Sequence, residues 1–210
     1  VLKPNYNFIN QFQNPGRYKI NKKISLKAKK LDDFKLPFSD FIKVDTQGYN
    51  YEILEGSINT LKNSLGVECE TEFAELYSNQ KLFGDVNNLL KKNNFEFIDF
   101  TTLRRWNRYN LSNYGQCVFG NALFLKKPEF ILNLSKDKVI KYIAICALYN
   151  KFDIISFIMK NTVIGKKEKN IIKDNIKFLK SYSQKSRNIR AIASIVNRSI
   201  DFESEVHLFQ

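Results

Sequence analysis

Glycine and proline are scarce in this sequence, at 8 and 4 of 210 residues. Collagen-like, low-complexity and loop-dominated chains need far more of both, so those classes are excluded. Histidine occurs once, as His207, and cysteine three times, as Cys69, Cys117 and Cys146, with no Cys-X-X-Cys pair. A His/Cys metal site and a Ser-His-Asp triad therefore lack their parts, and no metal ligands are assigned. The cysteines are odd in number, widely spaced and set in apolar neighbourhoods, which reads as buried reduced thiols of a cytoplasmic protein. No apolar run reaches the ~18 residues a membrane span requires, and no signal peptide opens the chain. An initiator methionine is missing as well, since the first residue is Val1. The expectation is the later part of a longer protein. No repeat of solenoid length is found.

What is abundant is apolar bulk and positive charge. Hydrophobic residues make up 43%, enough for the core of one α/β domain with a small helical appendage. The net charge is +13 and leans toward the tail: residues 1–130 hold 19 Lys/Arg against 14 Asp/Glu, residues 131–210 hold 15 against 7. Neither a recognition-helix motif nor an RNP-type strand accompanies that charge, so no specific nucleic acid is expected. A lysine-rich solvated surface comes first, and weak association with an anionic membrane surface second.

Alternating apolar and basic residues from Lys23 to Phe34 predict a half-exposed strand ending in a turn. Asp40–Asp45 reads as a short strand buried on both faces, then a Thr-Gln-Gly turn, then a helix marked by Ile53, Leu54, Ile58 and Leu61 up to about Asn63. In "LGVECETEF", Val67, Cys69, Thr71 and Phe73 take one face and Glu68, Glu70 and Glu72 the other, a strand of period two. Phe83–Lys92 patterns as a helix and Phe95–Phe100 as a strand. A polar loop with Arg104, Arg105, Trp106 and Tyr109 follows, then a strand from Gly115 to Lys127 kinked at Gly120. Strands alternating with helices predict a mainly parallel sheet, helices on both sides, and an antiparallel closing pair. Beyond Pro128, helical stripes form at Val139–Ala147, Ile154–Ile158, Ile171–Leu179 and Ile189–Val196, expected to be core of a small basic helical domain. The boundary is placed near residue 130, dividing 1–130 from 131–210.

"LDDFKLPFSDFIKVDTQGYNYEILEGS", "GVECETEFAELYSNQKLFGDVNNLLKKNNFEFIDF" and "GNALFLKKP" occur in this order between Lys30 and Pro128. This part of the chain resembles the FkbM family of S-adenosylmethionine-dependent methyltransferases. The resemblance implies an incomplete class I methyltransferase (Rossmann-like) sheet, with the Asp45 strand as its fourth and the Glu70 strand as its fifth. In that fold the cofactor lies over the carboxyl ends of the first, second and fourth strands, and the acceptor approaches beside the fourth and fifth. Carried over by position, Asp45 and Glu70 are the catalytic acids, and Asp45, Thr46 and Gly48 meet the cofactor. Tyr77, Gln80 and Phe83 match the family's "Y…Q.LF" segment at the acceptor mouth. The family often has acids where Asn50 and Asn121 stand, and the glycine-rich turn of the first strand has no counterpart in "NQFQNPGRYKI".

The implied activity is O-methylation of a sugar hydroxyl in polysaccharide or glycolipid synthesis, with S-adenosylmethionine as cofactor. The acceptor would be a sugar or another small hydroxyl compound. The chain by itself would be inactive if the cofactor motif lies upstream of it. The alternative is a non-catalytic interaction or anion-binding module on a degenerate scaffold. Residue by residue, Asp45 has the alternative role of a helix cap. Glu68, Glu70 and Glu72 have that of a solvated face, and Trp106 that of an ordinary packed loop aromatic instead of a platform for a sugar ring. His207 is expected to be tail.

Overall fold

The apolar and β-branched runs of the central sequence pair into one four-stranded sheet, in the order β1-β2-β4-β3. A computed structural model describes residues 2–34, 36–109, 115–162, 164–178 and 180–181. Its elements are α1 (Tyr6–Ile9), β1 (Phe41–Val44), α2 (Asn50–Glu55), α3 (Ile58–Asn63), β2 (Gly66–Glu72), α4 (Phe83–Lys92), β3 (Phe95–Trp106), β4 (Gln116–Lys126), α5 (Pro128–Ile131), α6 (Lys136–Leu148) and α7 (Phe152–Asn161). Single 3-10 turns lie at Pro15–Tyr18 and Leu31–Asp33. Residues 166–178 are also helical.

The fold is mixed α/β, but the mainly parallel sheet is corrected. Only β1 and β2, joined through α2 and α3, run parallel; β2–β4 and β3–β4 are antiparallel. Parallel pairing needs a helical crossover, and β3 and β4 are joined without one. β4 then inserts between β2 and β3, so one connection makes two antiparallel pairs.

Three further expectations change. Residues 19–30 form neither helix nor strand, and Ile24 and Leu26 are 68% and 83% exposed. Their alternation matches a strand pattern, yet no strand of the described residues pairs with them. The helix after the Thr-Gln-Gly turn is two helices, broken at Gly56–Ser57. The first donors of α3 are met from far away: the Asp32 carboxylate accepts from Asn59 N (2.7 Å), Thr60 N (2.9 Å) and Thr60 Oγ1 (2.7 Å). It does the work of an N-cap side chain. Finally, β3 continues to Trp106 through register shifts, so Arg104, Arg105 and Trp106 belong to a strand, while β4 runs without a break through Gly120.

The main core gathers Val44, Leu54, Leu61, Val67, Cys69, Val86, Leu90, Phe95, Ala122 and Phe124. Each large member contributes about 1.5–3 kcal/mol by leaving water. A second cluster, Ile9, Phe12, Leu76, Trp106 and Val118, sits at the end of the sheet where β1 and β2 terminate. The N-terminal segment is tied to that end by Asn5 N donating to Leu76 O and Ser78 N to Lys3 O, both 2.8 Å.

The chain divides into two compact units, 1–145 and 146–210. The divide falls after the expected residue 130 because α5 and the start of α6 are bound to the sheet unit. Tyr142 Oη donates to Lys126 O (2.7 Å), and Lys138 and Lys141 pair with Asp40. In the second unit, Ile155 and Ile158 are buried, whereas Ile171 is 52% exposed. The Ile189–Val196 stripe and His207 lie outside the described residues. Among the described residues, no helix is long and apolar enough to cross a membrane.

Candidate active site

β1 ends at Val44, and the next residues form a tight turn at the carboxyl end of the parallel pair. Gln47 and Gly48 both have positive φ, 50° and 86°. A Cβ on Gly48 would lie 2.5 Å from a Tyr77 ring carbon and 2.9 Å from Gln80 Nε2, so glycine is required twice over, by conformation and by space.

Asn50 locks this turn. Its Oδ1 accepts from Thr46 N and Thr46 Oγ1, both at 2.8 Å, and its Nδ2 donates to Glu70 O at 3.0 Å. An aspartate here would lose the donor. The amide at a position where the resemblance implies an acid thus has its own use, joining the turn to β2. The Thr46 hydroxyl is spent inside the turn.

With the turn held, two carboxylates meet. Gln47 Nε2 donates to Asp45 Oδ1 (3.2 Å) and to Glu70 Oε1 (3.4 Å). Asp45 is exposed and Glu70 half-buried, and burial together with the Asp45 charge pushes Glu70 up to about 7, against the pull of Arg104. Two residues further along β2, Glu72 is 3% exposed and is pushed up to about 8, chiefly by burial and next by the Glu70 charge. These values belong to the cluster as a whole, whose protons are shared by neighbouring acids. At neutral pH Glu72 holds its proton, and Glu70 is poised between its two forms. The solvated-face reading of the three glutamates is overturned, because Glu68 is also buried, paired with Lys43 at 3.5 Å and accepting from Thr101 Oγ1 at 3.3 Å.

Gln80 is buried beneath the turn. Its Oε1 accepts from Leu76 N (3.0 Å) and Tyr77 N (3.2 Å), while its Nε2 is buried. That amide stands beside the Glu72 carboxylate and lowers its proton affinity, against the larger effect of burial. Tyr77 covers Gly48, and its ring meets Tyr18 edge-on at 6.0 Å between centroids. Burial pushes Tyr18 up to about 12, with the charges of Glu70 and Glu72 adding to the rise.

Beyond Gln47 and Tyr77 opens a cleft of about 1490 Å³, lined further by Tyr6, Arg17, Tyr18, Lys22 and Phe119. It exceeds the roughly 300–1,000 Å³ of an ordinary small-molecule pocket.

Two predicted acceptor residues lie elsewhere. Phe83 opens α4 inside an aromatic cluster with Phe73, Phe97, Phe100 and Phe124, at centroid separations of 5.2–6.3 Å, half-buried and packed against the main core. Trp106 is 7% exposed and packs on Phe12, with the Arg17 guanidinium 4.1 Å above its ring. No ring face is left for a sugar. Asp45, Thr46, Gly48, Glu70, Tyr77 and Gln80 are brought together; Asn50 and Glu72, noted in the sequence but given no site role there, join them, as do Gln47 and Tyr18, which had no sequence signal of their own.

Of a nucleoside-sulfonium site, these residues suit one edge. The Gly48 turn allows close approach of a ligand to the backbone. A glycine-rich cradle is not among the described residues: Gly16, the one glycine before β1, has nothing within 4 Å of where its Cβ would stand. Nor, among the described residues, is there any cluster of His, Cys, Asp or Glu able to hold a metal ion.

Compared with family models, residues 4–97 match the Methyltransferase FkbM domain. The match begins well before Lys30 and ends within β3. No curated protein and no solved structure matches the chain.

Proposed function

The chain belongs, through residues 4–97, to the FkbM methyltransferase family, and from that membership we propose that the Asp45–Glu70 pair serves the O-methylation of an acceptor held in the adjoining cleft. A sugar hydroxyl, in a polysaccharide or glycolipid, is the acceptor we favour. S-adenosylmethionine, when bound, supplies a methyl group on a sulfonium, open to displacement by oxygen. The chain's own residues have the remaining tasks. Asp45, Thr46 and Gly48 form the edge on which reactants are aligned, and alignment alone is worth several kcal/mol. Glu70, with a proton affinity near neutrality, receives the proton of the acceptor hydroxyl. Glu72, protonated at the same pH, keeps a second negative charge away from the pair. The observation supporting this reading is the single amide, Gln47 Nε2, that touches both carboxylates and also lines the cleft.

The test is transfer of labelled methyl from S-adenosylmethionine to a panel of mono- and oligosaccharides by the complete protein, as wild type, Asp45→Asn and Glu70→Gln. Glu70→Gln is expected to lower turnover about 10²–10⁴-fold while unfolding stays cooperative. Equal turnover in Glu70→Gln would remove that residue from proton transfer. A second reading has two observations in its favour: the cleft wall is cationic, and the glycine-rich cradle is not among the described residues. A non-catalytic anion-binding module would transfer no methyl under any of these conditions yet would still bind polyanions.

A further inference from the structure

The cleft has two ends of opposite charge. At its inner end Gln47 leads to Asp45, Glu70 and Glu72. Along its wall stand Lys3, Arg17, Lys19, Lys22 and Lys23, and no acidic residue lines it among the described residues. None of the five cations takes part in a salt bridge among the described residues. Arg17 is immobilised through its face, lying over Trp106 at 4.1 Å and Tyr18 at 5.4 Å. Stacking of this kind leaves the edge N–H donors of a guanidinium for an anion. Lys19, Lys22 and Lys23 sit on the exposed segment 19–30, which is neither helix nor strand. Unpaired like charges cost free energy when crowded, and a bound anion relieves that cost. Tyr6, Tyr18 and Tyr77 share the wall.

We infer that the cleft takes an anionic sugar, one bearing a phosphate or carboxylate group that the Lys/Arg wall holds while its hydroxyl points to the Gln47 end. The inference rests on the cleft being the acceptor site. Opposite charges at the two ends give the acceptor a direction. The anionic group is drawn to the wall and repelled by the carboxylates, which leaves a neutral hydroxyl as the part that can approach Glu70.

The experiment follows the side-chain resonances of Gln47 and Tyr77 while glucose 6-phosphate, methyl glucuronide and methyl glucoside are titrated into the whole chain. The same titrations are run on Lys22→Gln/Lys23→Gln, and on Lys91→Gln/Lys92→Gln as a control for overall charge. Both charged sugars are expected to shift Gln47 and Tyr77 and to bind at least about tenfold more tightly than methyl glucoside. The preference should shrink as ionic strength rises past roughly 0.5 M, and should fall in the Lys22/Lys23 variant but not in the control. Preference for glucose 6-phosphate over methyl glucuronide would identify a phosphate, and the reverse a carboxylate. Equal affinity for all three sugars, or equal loss in both variants, would overturn the inference while leaving the acceptor site in place. No shift at Gln47 and Tyr77 with any sugar would overturn both.

Discussion

Glu72 shows how one residue's surroundings set its chemistry. Its ordinary carboxyl value of 4.5 is raised to about 8 in the folded chain, and that of Glu70 to about 7. Between those limits the folded state binds more protons than the unfolded state, so stability falls as pH rises. The contribution is complete below about pH 4.5 and is lost as pH passes through 7 and 8. Urea unfolding of the wild type is expected to show a midpoint that declines from pH 5 to pH 8.5. In Glu72→Gln the decline should be reduced by up to about 4 kcal/mol of unfolding free energy over that window. An identical pH profile in the variant would refute the burial effect. Residues of this sort were only partly legible. Asp45, Glu70 and Gly48 announce themselves by ending an apolar run or opening a turn. Glu72 looked like a solvated strand residue because alternation cannot tell which face the N-terminal segment covers. Trp106 and Phe83 looked like ligand contacts because an aromatic residue near polar neighbours reads the same whether it is packed or exposed.

Among the elements, α3 depends most on a distant residue. Its N-terminal amides are capped by Asp32, whose value is held down by hydrogen bonds from Thr60 and Asn59 that outweigh its slight burial. Asp32→Ala is expected to cost about 1–2 kcal/mol, read as a lower urea midpoint. Asp32→Asn, which keeps an acceptor, should recover part of it. A neutral Asp32→Ala would show that α3 needs no cap. Asp32 was visible in the sequence only as part of an Asp pair ending a supposed strand. Strand periodicity at Lys23–Leu26 misled because alternation is necessary for a half-buried strand but does not supply its pairing partner. The helix at residues 50–63 was legible as helix, though its break at Gly56–Ser57 was not, since apolar spacing continues across it.

For the whole molecule, the order of strands and helices was legible and the direction of the sheet was not. A missing crossover between β3 and β4 signalled one antiparallel pair; that β4 would enter between β2 and β3 depends on long-range pairing that no local pattern encodes. The unit 1–145 carries both clusters described above and the whole cleft. A chain ending at Leu148 is therefore expected to unfold in one cooperative step, with its sole tryptophan, Trp106, emitting as a buried indole. Solvent-exposed emission from that shortened chain in buffer would contradict an independent first unit.

The most direct test of the carboxylate site is a carbon-detected NMR titration of the Glu70 side chain in the wild type and in Asp45→Asn. A midpoint near 7 in the wild type, moving down once the Asp45 charge is removed, is the expected result. A midpoint near the ordinary 4.5, unmoved in Asp45→Asn, would contradict the assignment of Glu70 as the group that takes the acceptor's proton.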